Sequence, residues 1–204
     1  MSSESTESKN PSRISGPLSR ASRFFYTKSN VVAALLATSV FAGYLVFFLT
    51  RQGKTFEVAN SSVKSLGTSL GFGQTEILAF LTERSDQMII AYINFNQGWD
   101  SLFSLIYGVM YVIWVSIVFK PYSQKIALLN LLPFGQVFFD WLENVALATL
   151  SKQYLADGTI SSSTALLAST SSTIKWIFSL LVYGVILVGI VMRIVGALKR
   201  RSQR

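Results

Sequence analysis

The sequence predicts an all-α fold, a transmembrane four-helix bundle with an additional amphipathic helix in its first loop. Three observations carry this prediction. Half of the 204 residues are hydrophobic and only 14% are charged, against about a quarter in soluble domains. The charges are unevenly placed, leaving 31–49 and 101–119 with none. Each of these stretches approaches the roughly 20 apolar residues that cross about 30 Å of hydrocarbon.

The elements follow in chain order. Residues 1–30 are polar and Ser-rich, with Lys9, Arg13, Arg20, Arg23 and Lys28, and read as a disordered basic cytosolic tail. Glu4 and Glu7 argue against an organelle-targeting peptide, because such peptides avoid acids. Arg13-Ile14-Ser15 and Arg20-Ala21-Ser22 match short basic phosphorylation patterns. The transmembrane domain then occupies 31–198. Its first span, 31–50, is too long for a signal-peptide core and lacks a small-residue cleavage site. In the loop that follows, Ile77, Leu78, Leu81, Met88, Ile89 and Tyr92 recur at helical spacing, which predicts a helix over 75–94 lying on the bilayer surface or capping the bundle. Thr75 is its expected cap, and Ser85-Asp86 is a point where it can break in two.

The second span, 101–119, ends at Lys120-Pro121, a boundary cation and a helix breaker. A short turn to Lys125 returns the chain antiparallel as the third span, 126–150. Residues 151–173 read as a Ser/Thr-rich connection. The fourth span is 174–197, with Gly184, Gly189 and Gly196 spaced for close helix contact, and a basic tail occupies 199–204. Lys and Arg crowd the N-terminal tail, the 120–125 turn and the C-terminal tail, three segments on one side of a four-span protein. The positive-inside rule makes that side cytosolic. It leaves Asn60-Ser61-Ser62, a glycosylation acceptor pattern, on the far side, so Asn60 is the glycosylation candidate.

The net charge of +8 sits mainly in the tails, which points to anionic lipid headgroups and not to nucleic acid. The expected partners are therefore the bilayer and those headgroups, together with a homo- or hetero-oligomeric copy if the bundle assembles. With no cysteine and no histidine, disulfides, thiol nucleophiles and imidazole or thiolate metal sites are excluded. No cofactor and no metal is implied.

The informative stretch is Phe139-Asp140-Trp141-Leu142-Glu143-Asn144. Asp140, Glu143 and Asn144 fall at i, i+3 and i+4 and share one helix face, with Gln136 a turn earlier. On the insertion scale the apolar residues of this span contribute about −4 to −8 kcal/mol, and two central acids cost about +5 to +7 kcal/mol. The acids therefore need a partner, a proton, or a place away from the bilayer centre. Counted from residue 126, Asp140 lies about 21 Å along the helix, in the outer half. Asp100 opens the second span at the same face, and Ser104, Tyr107 and Tyr111 continue its stripe. Lys175 stands on the correct side to be the counter-ion, whereas Arg193 lies near the cytosolic end and is expected to snorkel.

These residues resemble a family of small four-span integral membrane proteins with no assigned activity. The resemblance covers roughly 70–150. It rests on Thr75-Glu76-Ile77-Leu78-Ala79-Phe80-Leu81 followed by Tyr92, on Asp100-Ser101-Leu102-Phe103 with Tyr107-Gly108, and on Phe139-Asp140-Trp141-Leu142-Glu143-Asn144. Gln87 stands where that family has a small residue. The resemblance implies the architecture and no reaction.

Three functional classes stay open on the sequence. A non-enzymatic membrane protein, with the acids as a structural clamp or ligand site, is favoured over an enzyme. A small intramembrane enzyme that modifies a lipid or sterol with paired carboxylates is the first alternative. A proton- or cation-coupled carrier subunit is the second, and four helices without an inverted repeat leave it little room for a pathway.

Overall fold

In the computed structural model, which describes residues 16–63, 65–123, 126 and 128–203, every regular element is a helix. There are six: α1 (Pro17–Lys28), α2 (Val31–Phe56), α3 (Gln74–Thr82), α4 (Asp86–Tyr122), α5 (Leu132–Asp157) and α6 (Ser162–Ser202). By length and apolar content α2, α4 and α6 are able to cross a membrane. α5 is not in that set, because Gln136, Asp140, Glu143 and Asn144 dilute its hydrophobic content.

Local chemistry sets the helix ends. Asn30 caps α2 by accepting from the Ala33 N–H at 2.9 Å, and Ser85 and Ser161 do the same for α4 and α6. Gly73, not the expected Thr75, is the cap of α3, and Glu76 reaches back to the Gly73 N–H at 2.9 Å. α5 ends at Gly158, whose φ of 74° is the left-handed conformation that glycine adopts without strain.

Several expectations are corrected. Residues 17–28, expected to be disordered, form α1. Its Ser19, Ser22 and Tyr26 repeat on one face and are buried against the C-terminal end of α4 and the 126–131 segment. Ser22 donates to Asn130 Oδ1 at 2.7 Å, and Asn130 donates to Ser22 O and to Ser116 Oγ. A kinase cannot reach a hydroxyl held there, so the Ser22 phosphorylation pattern is not a modification site in this conformation. The Ser15 pattern, the rest of the tail to residue 15, Lys125 and Arg204 lie outside the described residues.

The helix expected at 75–94 does break at Ser85, as the Ser85-Asp86 pair allowed. Its second half does not lie apart on a surface but runs on into the 101–119 span as one 37-residue helix, α4, through a π-helical segment, Phe95–Asp100. α5 begins at Leu132, so Asp140 lies about 12 Å along it, not about 21 Å. The connection expected at 151–173 shrinks to residues 158–161, because α6 already starts at Ser162. At 41 residues α6 is about 60 Å long, twice a hydrocarbon core. Of its three glycines only Gly189 allows close approach, since a Cβ there would overlap the Val118 and Phe119 side chains of α4.

The extra length builds a cap. Residues 57–73, α3, the first turns of α4, the end of α5 and the start of α6 enclose a hydrophobic core that includes Phe80, Ile89, Leu147 and Ala168. Two hydroxyls of α6 hold the 57–73 segment along that helix: Ser172 donates to Ser69 O at 2.8 Å and Thr173 to Leu70 O at 2.7 Å. At the opposite end of the bundle, Lys120 reaches the Thr27 and Ser29 carbonyls. Arg193 does not snorkel. It donates to the carbonyls of Val118 and Ile117, closing the C-terminal end of α4.

Candidate functional site

Asp140 and Glu143 project from α5 towards α6, where Lys175 meets both. The Lys175 ammonium is 3.0 Å from Asp140 Oδ1 and 2.5 Å from Glu143 Oε2. It also donates to Gly67 O at 3.1 Å, so three oxygens match the three protons an ammonium carries. The Tyr107 hydroxyl donates to Asp140 Oδ2 at 3.0 Å, leaving both Asp140 oxygens occupied. All three charged groups are deep, with relative exposures of 0% for Glu143, 4% for Asp140 and 7% for Lys175. Isolated charges at such depth are strongly disfavoured, and here the ion pairs provide the compensation. It is incomplete: Glu143 Oε1 and Gln136 Oε1 are buried without a hydrogen bond.

Backbone irregularity positions the neighbouring groups. Asp100 closes the π-helical segment of α4, and a second π-helical segment, Tyr44–Leu49, interrupts α2 beside it. Such bulges free carbonyls from the helical ladder, which must find other donors. The Tyr44 hydroxyl donates to Trp99 O at 2.9 Å and the Ser101 hydroxyl to Asn96 O at 2.7 Å. The Trp141 indole donates to Ser101 O at 2.9 Å, which pins α5 to α4 beside the cluster. Close packing completes the fit. A Cβ on Gly108 would overlap the Val137 side chain, and one on Gly135 would overlap the Phe178 ring.

These groups border a cavity of about 760 Å³. Asp100, Tyr107, Gln136, Asp140 and Lys175 line its polar end, and Phe41, Leu45 and Leu49 of α2 form an apolar wall. Phe80 and Arg84 of the cap also border it. Arg84 is held by the carbonyls of Phe56 and Phe80, with its guanidinium 3.4 Å from the Phe80 ring centroid. Exposed Lys54 and Glu57, of opposite sign, lie at its margin.

Of the sequence-selected residues, Asp100, Tyr107, Gln136, Asp140 and Lys175 come together on this cavity. Glu143 and Asn144 sit behind them. Asn144 faces the Asp100 carboxylate, but its amide nitrogen makes no hydrogen bond of good geometry. Tyr111 borders the cavity but turns away from the acids, its hydroxyl 3.4 Å from that of Tyr183. Asn60 does not line the cavity and is exposed in a turn with φ of 60°. Sequence reasoning missed Ser179 and Tyr183, which also line the cavity. Their signal was legible, because Lys175, Ser179 and Tyr183 repeat every four residues and mark one polar stripe on α6. Among the described residues no group of three carboxylates is arranged to hold a metal ion.

The arrangement can bind charge. Asp140 and Glu143 share a single lysine, and Asp100 adds a third carboxylate open to the cavity. The deep end therefore holds three carboxyl groups and one lysine beside a wall of hydrocarbon. No protein-family model, curated protein or solved structure matches this chain.

Proposed function

We propose that this chain is a multi-pass membrane protein of four transmembrane helices that binds a cationic amphiphile, with the ammonium end of the ligand among Asp100, Tyr107 and Asp140. The observation that carries the reading is the excess of carboxylates over cations at the deep end of a cavity whose opposite wall is apolar. A buried site short of positive charge favours a cation, and an ammonium with donors to spare meets the need that Lys175 leaves unfilled.

The span that completes the four is α5, the third in chain order. Its acids sit against Lys175 and not against lipid, which removes most of their insertion penalty. The basic end of the bundle, with Arg20, Arg23, Lys28, Lys120, Lys199, Arg200 and Arg201, faces the cytosol and anionic headgroups. The cap, and Asn60 with it, then lies on the far side. The resemblance of residues 70–150 to small four-span membrane proteins agrees with this span count and adds no activity.

The test is a comparison of head groups on one chain length. Dodecylamine, dodecanol and dodecyl sulfate are titrated into the protein in nanodiscs of neutral lipid, with the part of the intrinsic tryptophan fluorescence change that is lost in Trp176→Phe, a cavity-lining position, as the readout. Dodecylamine is expected to bind at least tenfold more tightly than the other two. Asp100→Asn is expected to weaken it by about tenfold to a hundredfold, the range of one lost charge-assisted hydrogen bond. Equal binding of amine and sulfate, or an unaffected Asp100→Asn variant, contradicts the proposal.

A further inference from the structure

A second cavity of about 450 Å³ lies between α2 and α6 on the floor of α4, lined by Phe41, Met110, Trp114, Tyr183, Leu187 and Ile190 among others. It shares Phe41, Tyr111 and Tyr183 with the polar cavity, so the Tyr111–Tyr183 pair stands at the junction of the two. Most polar atoms of its wall already have partners. The Trp114 indole donates to Thr38 Oγ1 at 3.1 Å, the Thr38 hydroxyl donates to Ala34 O at 2.8 Å, and the two tyrosine hydroxyls face each other. Beyond the proton of the Tyr183 hydroxyl the wall offers no donor for a head group, and the rest of the lining is hydrocarbon. The outer rim is open and apolar, with Leu187 63% exposed. α2 packs mainly on α4, which leaves its α6 side open.

We infer that this groove is the seat of a single alkyl chain, the tail of an amphiphile whose ammonium occupies the polar cavity, and that the Tyr111–Tyr183 pair is the gate through which the head passes from the bilayer. The inference rests on the cation-site reading. It adds the ligand's shape and its route: one linear chain, entering sideways from the membrane between α2 and α6. A chain already in lipid gains little from apolar contact alone. The groove therefore contributes by fixing the tail while the acids hold the head.

The experiment uses an octadecylamine dibrominated at mid-chain, in nanodiscs of unbrominated lipid, and reads quenching of tryptophan fluorescence. In the wild-type protein, quenching is expected to saturate at about one amine per protein, and the saturable part is expected to shrink in Trp114→Phe. Filling the groove with Leu187→Phe and Ile190→Phe is expected to raise the half-saturation point at least tenfold. Butylamine, which has a head and almost no tail, is expected to displace the probe from the wild-type protein. Quenching that rises without saturation, no quenching at any concentration (as when a helix of a second copy fills the groove), or an unchanged half-saturation in a folded double variant overturns the tail site. Saturable Trp114 quenching that butylamine does not displace leaves the tail site standing and removes the cation site, so the two failures are distinct.

Discussion

Replacing Lys175 with methionine is expected to destabilise the protein by about 3–5 kcal/mol, because it leaves the Asp140 and Glu143 carboxylates buried without a counter-ion. The loss comes from the charges left behind and not from side-chain volume, since methionine retains most of the lysine stem. Neutralising them in turn separates the two causes. The triple variant Lys175→Met, Asp140→Asn, Glu143→Gln is expected to recover most of the stability, because amides bear far less desolvation penalty than ions. Denaturant unfolding in mixed micelles measures both differences. A Lys175→Met protein as stable as wild type, or a triple variant no better than the single one, contradicts the ion-paired cluster. The same substitution also frees Gly67 O, so faster hydrogen exchange in the 57–73 segment is expected alongside the global loss.

Phe80→Ala is expected to cost about 3–5 kcal/mol, the range for removing a buried aromatic ring. Phe80 is 1% exposed and sits in the cap core against Tyr92, their ring centroids 4.7 Å apart. It also borders the polar cavity and carries the Arg84 guanidinium on its face. The effect should be regional. Hydrogen exchange is expected to accelerate in α3, in the 57–73 segment and in the first turns of α4, while the α4–α5–α6 contacts around Gly108 and Gly189 stay protected. Uniform acceleration across the chain would mean that the cap and the bundle are a single cooperative unit.

The sequence made some of this legible and concealed the rest for physical reasons. The end of the second span at Phe119 was readable because Lys120-Pro121 ends the apolar run, and the shared face of Asp140, Glu143 and Asn144 followed from helical spacing. The partner Lys175 was inferred from side alone, although the distances to both carboxylates are a property of packing. The continuity of α4 was hidden, because a π-helical segment shifts the phase of the periodic pattern. Asp100, Ser104 and Tyr107 read as one stripe, but its continuation back through Asn96 to Tyr92 did not register. α1 was missed because its buried face is Ser19, Ser22 and Tyr26, a mostly polar face that docks on partners about a hundred residues away, Asn130 and the C-terminal end of α4. The early start of α6 was missed because serine and threonine are usual in connections. Here Ser169, Ser172 and Thr173 are helical and bond the opposing loop instead.

The most direct test of the cation site is to locate a cation in it. A structure of the protein with 4-bromobenzylamine, solved with anomalous data at the bromine edge, gives the position without reliance on affinity. The expected result is one bromine peak inside the cavity of about 760 Å³, with the amine directed to Asp100 and Asp140, and no such peak in Asp100→Asn. A bromine bound only on the outer surface of the bundle, or equally well in Asp100→Asn, would contradict it.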